Sequence, residues 1–88
     1  MSLSSMLGVD RFPTLDLHGY DRETARVAIE DFIKENQKLR QEFFVIIHGV
    51  GSGILKHTTF EALKRNRSVV EFGVHYFNSG CTIVRIQI

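Results

Sequence analysis

Residues 43–56, "FFVIIHGVGSGILK", are the stretch on which the fold turns. The first six form a continuous apolar run closed by a histidine, the pattern of a strand buried on both faces, as in a parallel βαβ unit. The next five set glycine at every second position, Gly49, Gly51 and Gly53, and from Ile54 a helical rhythm begins. Glycine inside a regular element costs roughly 0.5–1 kcal/mol relative to alanine, so three in close succession imply a backbone that must bend sharply or stay bare. A strand that empties into a glycine loop and re-enters a helix is half of an α/β unit.

The flanks supply the rest. Upstream, "TLDLHG" (residues 14–19) alternates, with Leu15 and Leu17 on one side of a strand and Asp16 and His18 on the other. Asp21 is a helix N-cap with Thr24 as its partner, and Ala25, Ala28, Ile29, Phe32, Ile33 and Leu39 follow at near-helical spacing, which predicts a helix ending between Lys38 and Arg40. Downstream of the glycines, Ile54, Leu55, Thr59, Ala62 and Leu63 carry a second helix to about Arg65 or Asn66. "VVEFGVHYF" (69–77) and "CTIVRIQI" (81–88) alternate again, and Asn78–Gly80 between them reads as the hairpin loop. The order β-α-β-α-β-β predicts a two-layer α/β sandwich with a mixed four-stranded sheet and both right-handed crossovers on one face.

At 88 residues the chain suits one domain, read here as residues 13–88 behind a flexible N-terminal arm, residues 1–12. A hydrophobic content of 43% with seven phenylalanines is enough for a core of that size. The single cysteine, Cys81, excludes an intramolecular disulfide and fits a reducing, cytoplasmic setting. Nothing approaches the roughly 18 apolar residues of a membrane span, and the first residues lack the basic start of a signal peptide, so no membrane association is expected. Net charge is only +1, but residues 52–68 hold Lys56, Lys64, Arg65 and Arg67 against Glu61 alone. That local excess steers an anion to one face; an ordinary solvated helix face is the alternative reading.

Two constellations carry chemistry. Asp16 and His18, two residues apart on one strand face, have Cα atoms roughly 6.5–7 Å apart and can act on one ligand; such a pair also serves as a turn cap or stands simply exposed. His48-Gly49-Val50-Gly51-Ser52-Gly53 lies after a strand and before a helix, where backbone N–H groups and the positive end of the helix dipole accept an anion. The spacing matches neither the P-loop nor the dinucleotide fingerprint, and a tight strand-to-helix connection is the competing explanation. Neighbouring parallel strands would bring Asp16, His18, His48, Gly49, Gly51, Ser52, Gly53 and Lys56 to one rim, a sensible receptor for a phosphodiester. Lys64, Arg65, Arg67 and Arg85 are candidate contacts to flanking phosphates. The histidines lack the regularity of a zinc motif, so no metal site is assigned, and a divalent metal held by Asp16, His18 and His48 stands as the competing chemistry. His57 and His75 read as surface residues.

Together "LDLHG" (residues 15–19) and "HGVGSG" (48–53), in this order and followed by the closing strand "CTIVRI", resemble the motifs of the Smr, or small MutS-related, domain family over residues 14–88. The resemblance implies an α/β two-layer sandwich similar to the C-terminal domain of translation initiation factor three. It implies binding of DNA or RNA and, in several members, endonuclease activity, with repair among the settings. The family's D-x-H pair falls on Asp16 and His18 and its glycine motif on His48, Gly49, Gly51 and Gly53. Family members often carry the domain at the end of a longer protein with ATPase modules, and many have a longer glycine-rich hairpin than Asn78–Gly80. Two functions follow as expectations: an endonuclease, and a non-catalytic module docking on nucleic acid or on a ribosomal or repair protein.

Overall fold

The computed structural model describes residue 3, residue 8 and residues 11–88. Its elements are β1 (Thr14–Asp16), α1 (Arg22–Lys38), β2 (Phe43–Ile47), α2 (Ile54–Arg65), β3 (Val69–His75) and β4 (Asn78–Ile86). The sheet runs β1-β2-β4-β3. β1 lies parallel to β2, with Asp16 opposite Ile47, while β4 is antiparallel to both β2 and β3. The sheet is therefore mixed, as the alternation of elements in the sequence predicts.

Both helices cover one face. Ala25, Ile29 and Ile33 of α1 and Ala62 and Leu63 of α2 close over Leu17, Phe44, Ile46, Val84 and Ile86 in one cluster. Full burial of each large member contributes about 1.5–3 kcal/mol, so this contact dominates the stability of the layer pair. Phe32 meets Phe44 edge-on at 5.0 Å, and Phe60 meets Phe72 at 5.3 Å, pinning one helix over β2 and the other over β3. β2 is buried on both sides, because Val45 and its neighbour Ile83, pointing away from the helices, are also inaccessible. The arm expected over residues 1–12 falls for the most part outside the described residues; at its end Phe12 stacks on Phe43 at 5.6 Å.

Helix ends follow local chemistry. The Asp21 carboxylate accepts the Thr24 N–H at 2.8 Å and starts α1. At the other end Arg40 takes the left-handed conformation, φ 57°, and its N–H donates to the Gln37 carbonyl, closing the helix with a residue that carries a Cβ where glycine is usual. Among the described residues, no helix is long and apolar enough to cross a membrane.

The hairpin differs from the sequence expectation. The turn is Tyr76–Phe77, with His75 opposite Asn78, and Asn78–Gly80 belongs to β4 rather than to a loop. The register shifts between Val74, which faces Thr82, and His75, so the start of β4 is bulged. The turn-forming character of Asn78 is spent locally instead: its side-chain oxygen accepts the Gly80 N–H at 2.9 Å.

Candidate functional site

The parallel pairing of β1 and β2 sets two chain ends side by side. The ladder continues one residue past β1, the Leu17 N–H donating to the Ile47 carbonyl at 2.9 Å, and Leu17 is wholly buried. The chain then turns: the Asp16 carboxylate accepts the backbone N–H of His18 at 2.9 Å, and Tyr20 N–H closes on the Leu17 carbonyl at 3.0 Å. Gly19, at φ 81°, lets the turn complete. His18 is left exposed at its corner. Asp16 thus holds His18 through the main chain, fixing where the imidazole starts from rather than gripping its ring.

At the end of β2 the glycine loop leaves the sheet. The N–H groups of His48 and Gly49 both donate to the Gly80 carbonyl at 3.0 Å, tying the loop to the bulge of β4. Gly49 and Gly53 have φ of 79° and 84°, in the left-handed region, whereas Gly51 does not, and a Cβ on Gly51 would meet nothing within 4 Å. The first and last glycines are there for the bend; the middle one is not required by it. Gly53 is also the N-cap of α2, so no side chain caps that helix end, and its first turn contains no acid. Ser52 Oγ offers only a long contact to the Ile54 N–H, 3.4 Å. Lys56 follows one turn in, its ammonium 5.9 Å from the centre of the Phe60 ring. An exposed, bare, positively polarised backbone of this kind suits a phosphate.

Of the residues grouped from sequence, Asp16, His18 and the glycine loop share this rim; the His48 ring stays bonded to Gly49 of the loop but lies on the opposite face of the sheet from Asp16. Following Phe44 and Ile46, its ring lies on the helix-facing side of the sheet, 7% exposed, edge-on to Phe60, whereas Asp16 follows the opposite parity. Its Nδ1 is 2.9 Å from the Gly49 carbonyl and its Nε2 2.7 Å from Thr82 Oγ1. A carbonyl only accepts, so Nδ1 carries the proton and Nε2 receives the Thr82 hydroxyl. Burial first, and then the Lys56 charge, push the His48 pKa below the ordinary imidazole value, against the Gly49 carbonyl, which raises it. The uncharged ring is a strut between the loop and β4.

The cations divide. Lys64 and Arg65 end α2 and Arg67 follows it, all exposed. At 1.5 Å per residue they stand about 15 Å along the helix from the glycine loop. Arg85 is occupied by Glu42 at 2.6 Å and by Glu71 at 3.6 Å. It pairs with Phe43 at the start of β2, about 13 Å from the rim by strand rise, so it does not join the loop. Two features of the rim were not read from sequence. Arg22 opens α1 and, with Tyr20, Asp21, Ser52, Ile54 and Leu55, lines a groove between the His18 turn and the start of α2. Its signal was a cation in the first turn of a helix, where the dipole favours an acid. The other is Tyr76 and Phe77, hidden within an apparent strand. Among the described residues, no cluster of three or more His, Cys, Asp or Glu side chains is arranged to hold a metal ion.

Residues 15–87 match the Smr domain. The chain belongs to the Smr domain family. Similar sequences include endonuclease MutS2 of Aquifex aeolicus, 38% identical over 82 residues, and endonuclease MutS2 of Streptococcus suis, 36% identical over 76 residues. Those alignments take in 90% and 83% of this chain but only 11% and 10% of the relatives, so the chain spans about a tenth of their length. The Smr domain of Thermus thermophilus MutS2 superposes with a TM-score of 0.83 at 25% identity, covering 86% of this chain and 99% of that one. The fold is also that of YdaL, a stand-alone small MutS-related protein from Escherichia coli, with a TM-score of 0.78 at 21% identity, over 94% of this chain and 77% of that one. The mixed four-stranded sheet under two helices is thus the Smr architecture.

Proposed function

We propose that this Smr domain binds a DNA or RNA strand at the rim shared by β1 and β2 and cleaves its phosphodiester backbone. The observation that carries the reading is the parallel pairing of β1 with β2, which sets an exposed histidine, its backbone N–H held by Asp16, beside the strand that leads through the glycine loop into the uncapped N-terminus of α2. The scissile phosphate rests on Gly49, Gly51, Ser52 and Gly53 with Lys56 behind them, where fixed N–H dipoles meet the charge that develops on phosphorus. In hydrolysis the oxygen of water bonds to phosphorus while the bond to the leaving oxygen breaks. His18 transfers the proton between them, and Asp16 keeps its turn in place. Lys64, Arg65 and Arg67 hold backbone further along the strand. Relatives named as endonucleases support this reading. Cytoplasmic nucleic acid, in repair or RNA turnover, is the corresponding substrate.

The test is incubation with supercoiled plasmid and with structured RNA, with and without EDTA, beside an Asp16→Ala/His18→Ala double variant. Nicking or cleavage by the wild type, lost in the double variant, is expected; equal activity in both assigns the cleavage elsewhere. His18→Asn should spare binding and lower turnover by about 10²-fold. One observation favours a second reading, a docking module without catalysis: the Asp16 carboxylate is engaged by a backbone N–H, as in a purely structural turn. Tight binding with no cleavage of either substrate would select it.

A further inference from the structure

The β3–β4 turn is built from the wrong residues for a turn. Two-residue hairpin loops favour Asn, Asp and Gly, yet here they are Tyr76 and Phe77, 74% and 70% exposed. Neither has the positive φ that would mark a conformational reason for its place. The core does not claim them either. Their rings brace one another instead, Tyr76 against Phe77 at 5.1 Å and 74°, and Phe77 against His75 at 5.9 Å and 60°. Braced in this way, the two residues keep most of their surface in solvent at a strand end.

The tip is also tied to the rim. Gly80, three residues beyond Phe77, takes the N–H groups of His48 and Gly49 on its carbonyl, and a Cβ there would lie 3.4 Å from the Gly49 Cα. Three residues of chain reach at most about 10 Å, so Phe77 stands within that distance of the backbone that abuts the glycine loop. Residues 72–80 contain no acid to repel a polyanion, and Glu71 is turned to Arg85.

We infer that Tyr76 and Phe77 form a stacking platform for unpaired bases of the strand whose phosphate lies on the glycine loop. The inference rests on the nucleic-acid reading above and narrows its substrate to strands with unpaired nucleotides beside the bound phosphate. Bases inside a duplex are stacked on one another and offer no free face to an aromatic ring, whereas single strands stack on exposed aromatics without regard to sequence.

The experiment compares the wild type with Tyr76→Ala/Phe77→Ala, which leaves the buried core untouched, by fluorescence anisotropy. The probes are labelled single-stranded DNA and RNA oligonucleotides and a blunt duplex of the same sequence. The double variant should lose about tenfold or more in affinity for single strands and keep its duplex affinity, while Tyr76→Phe/Phe77→Tyr should bind like the wild type. Comparing the DNA and RNA arms shows which strand the platform serves. Because the chain has no tryptophan, Phe77→Trp supplies a direct probe whose emission should be quenched by the single strand and not by the duplex. Unchanged single-strand affinity in the alanine variant, or equal loss on duplex, overturns the platform while leaving the rim reading intact. A wild type that binds no nucleic acid overturns both.

Discussion

Gly51→Ala tests whether the one loop glycine that the bend does not require is there to leave room for a ligand. At Gly49 and Gly53 a side chain would have to enter the left-handed region, φ 79° and 84°, a cost of about 1–2 kcal/mol each. At Gly51 that obstacle is absent: its φ lies outside that region, and a Cβ meets nothing within 4 Å. Alanine there should be neutral or stabilise by up to about 1 kcal/mol, by restricting the unfolded chain. For a domain of this size 1 kcal/mol is about 4–8 °C in Tm. Thermal melts should therefore place Gly51→Ala at or slightly above the wild type and Gly49→Ala and Gly53→Ala roughly 4–16 °C below it. Titration with a short oligonucleotide supplies the second axis. On the proposed phosphate cradle the added methyl group would obstruct the approach of the phosphate to the backbone, and affinity should fall about tenfold, equivalent to about 1.4 kcal/mol. A fully folded Gly51→Ala that binds like the wild type would rule out the phosphate cradle. One that melts several degrees low would refute the claim that the fold does not need glycine there.

Other perturbations have equally definite outcomes. His48 has a depressed pKa in the folded state, so its contribution to stability is present above the unfolded value of about 6.5 and is lost as pH falls from there through the folded value. Denaturant midpoints measured from pH 7 to pH 5 should fall more steeply for the wild type than for His48→Gln, and parallel slopes would mean that the ring titrates as in water. Arg40→Gly relieves a left-handed residue at the end of α1 and should raise stability by about 0.5–1 kcal/mol, read as a Tm increase; a decrease would mean that the arginine side chain is needed there. Lys64→Glu/Arg65→Glu should weaken duplex binding and flatten its salt dependence, which runs at about −0.9 in log–log slope per phosphate neutralised. An unchanged slope would move the backbone contacts off the end of α2.

What could be read from sequence is what neighbours in the chain decide. The alternation of Leu15 and Leu17, the Asp21 cap with its helical run to Lys38, and the glycine loop between an apolar run and a helix each express a local conformational preference, and each element stands where its pattern puts it. The Asp16–His18 pair was visible as well, with turn-capping among its readings, and the carboxylate does hold the turn. Tertiary structure alone decided the rest, because the deciding partner is remote in sequence. The hairpin was expected at Asn78–Gly80 from turn propensity, yet the register of β3 on β4, with Val74 facing Thr82, moves the turn to Tyr76–Phe77 and exposes two aromatic rings. Arg85 looked available until Glu42, 43 residues away, came within 2.6 Å. His48 shares a motif with the glycines, but burying Phe44 and Ile46 commits its ring to the same side of the sheet, where Thr82, 34 residues on, completes its hydrogen bonds. Strand parity and register turn a side chain toward one face or the other, and which face is the working one depends on where the helices pack.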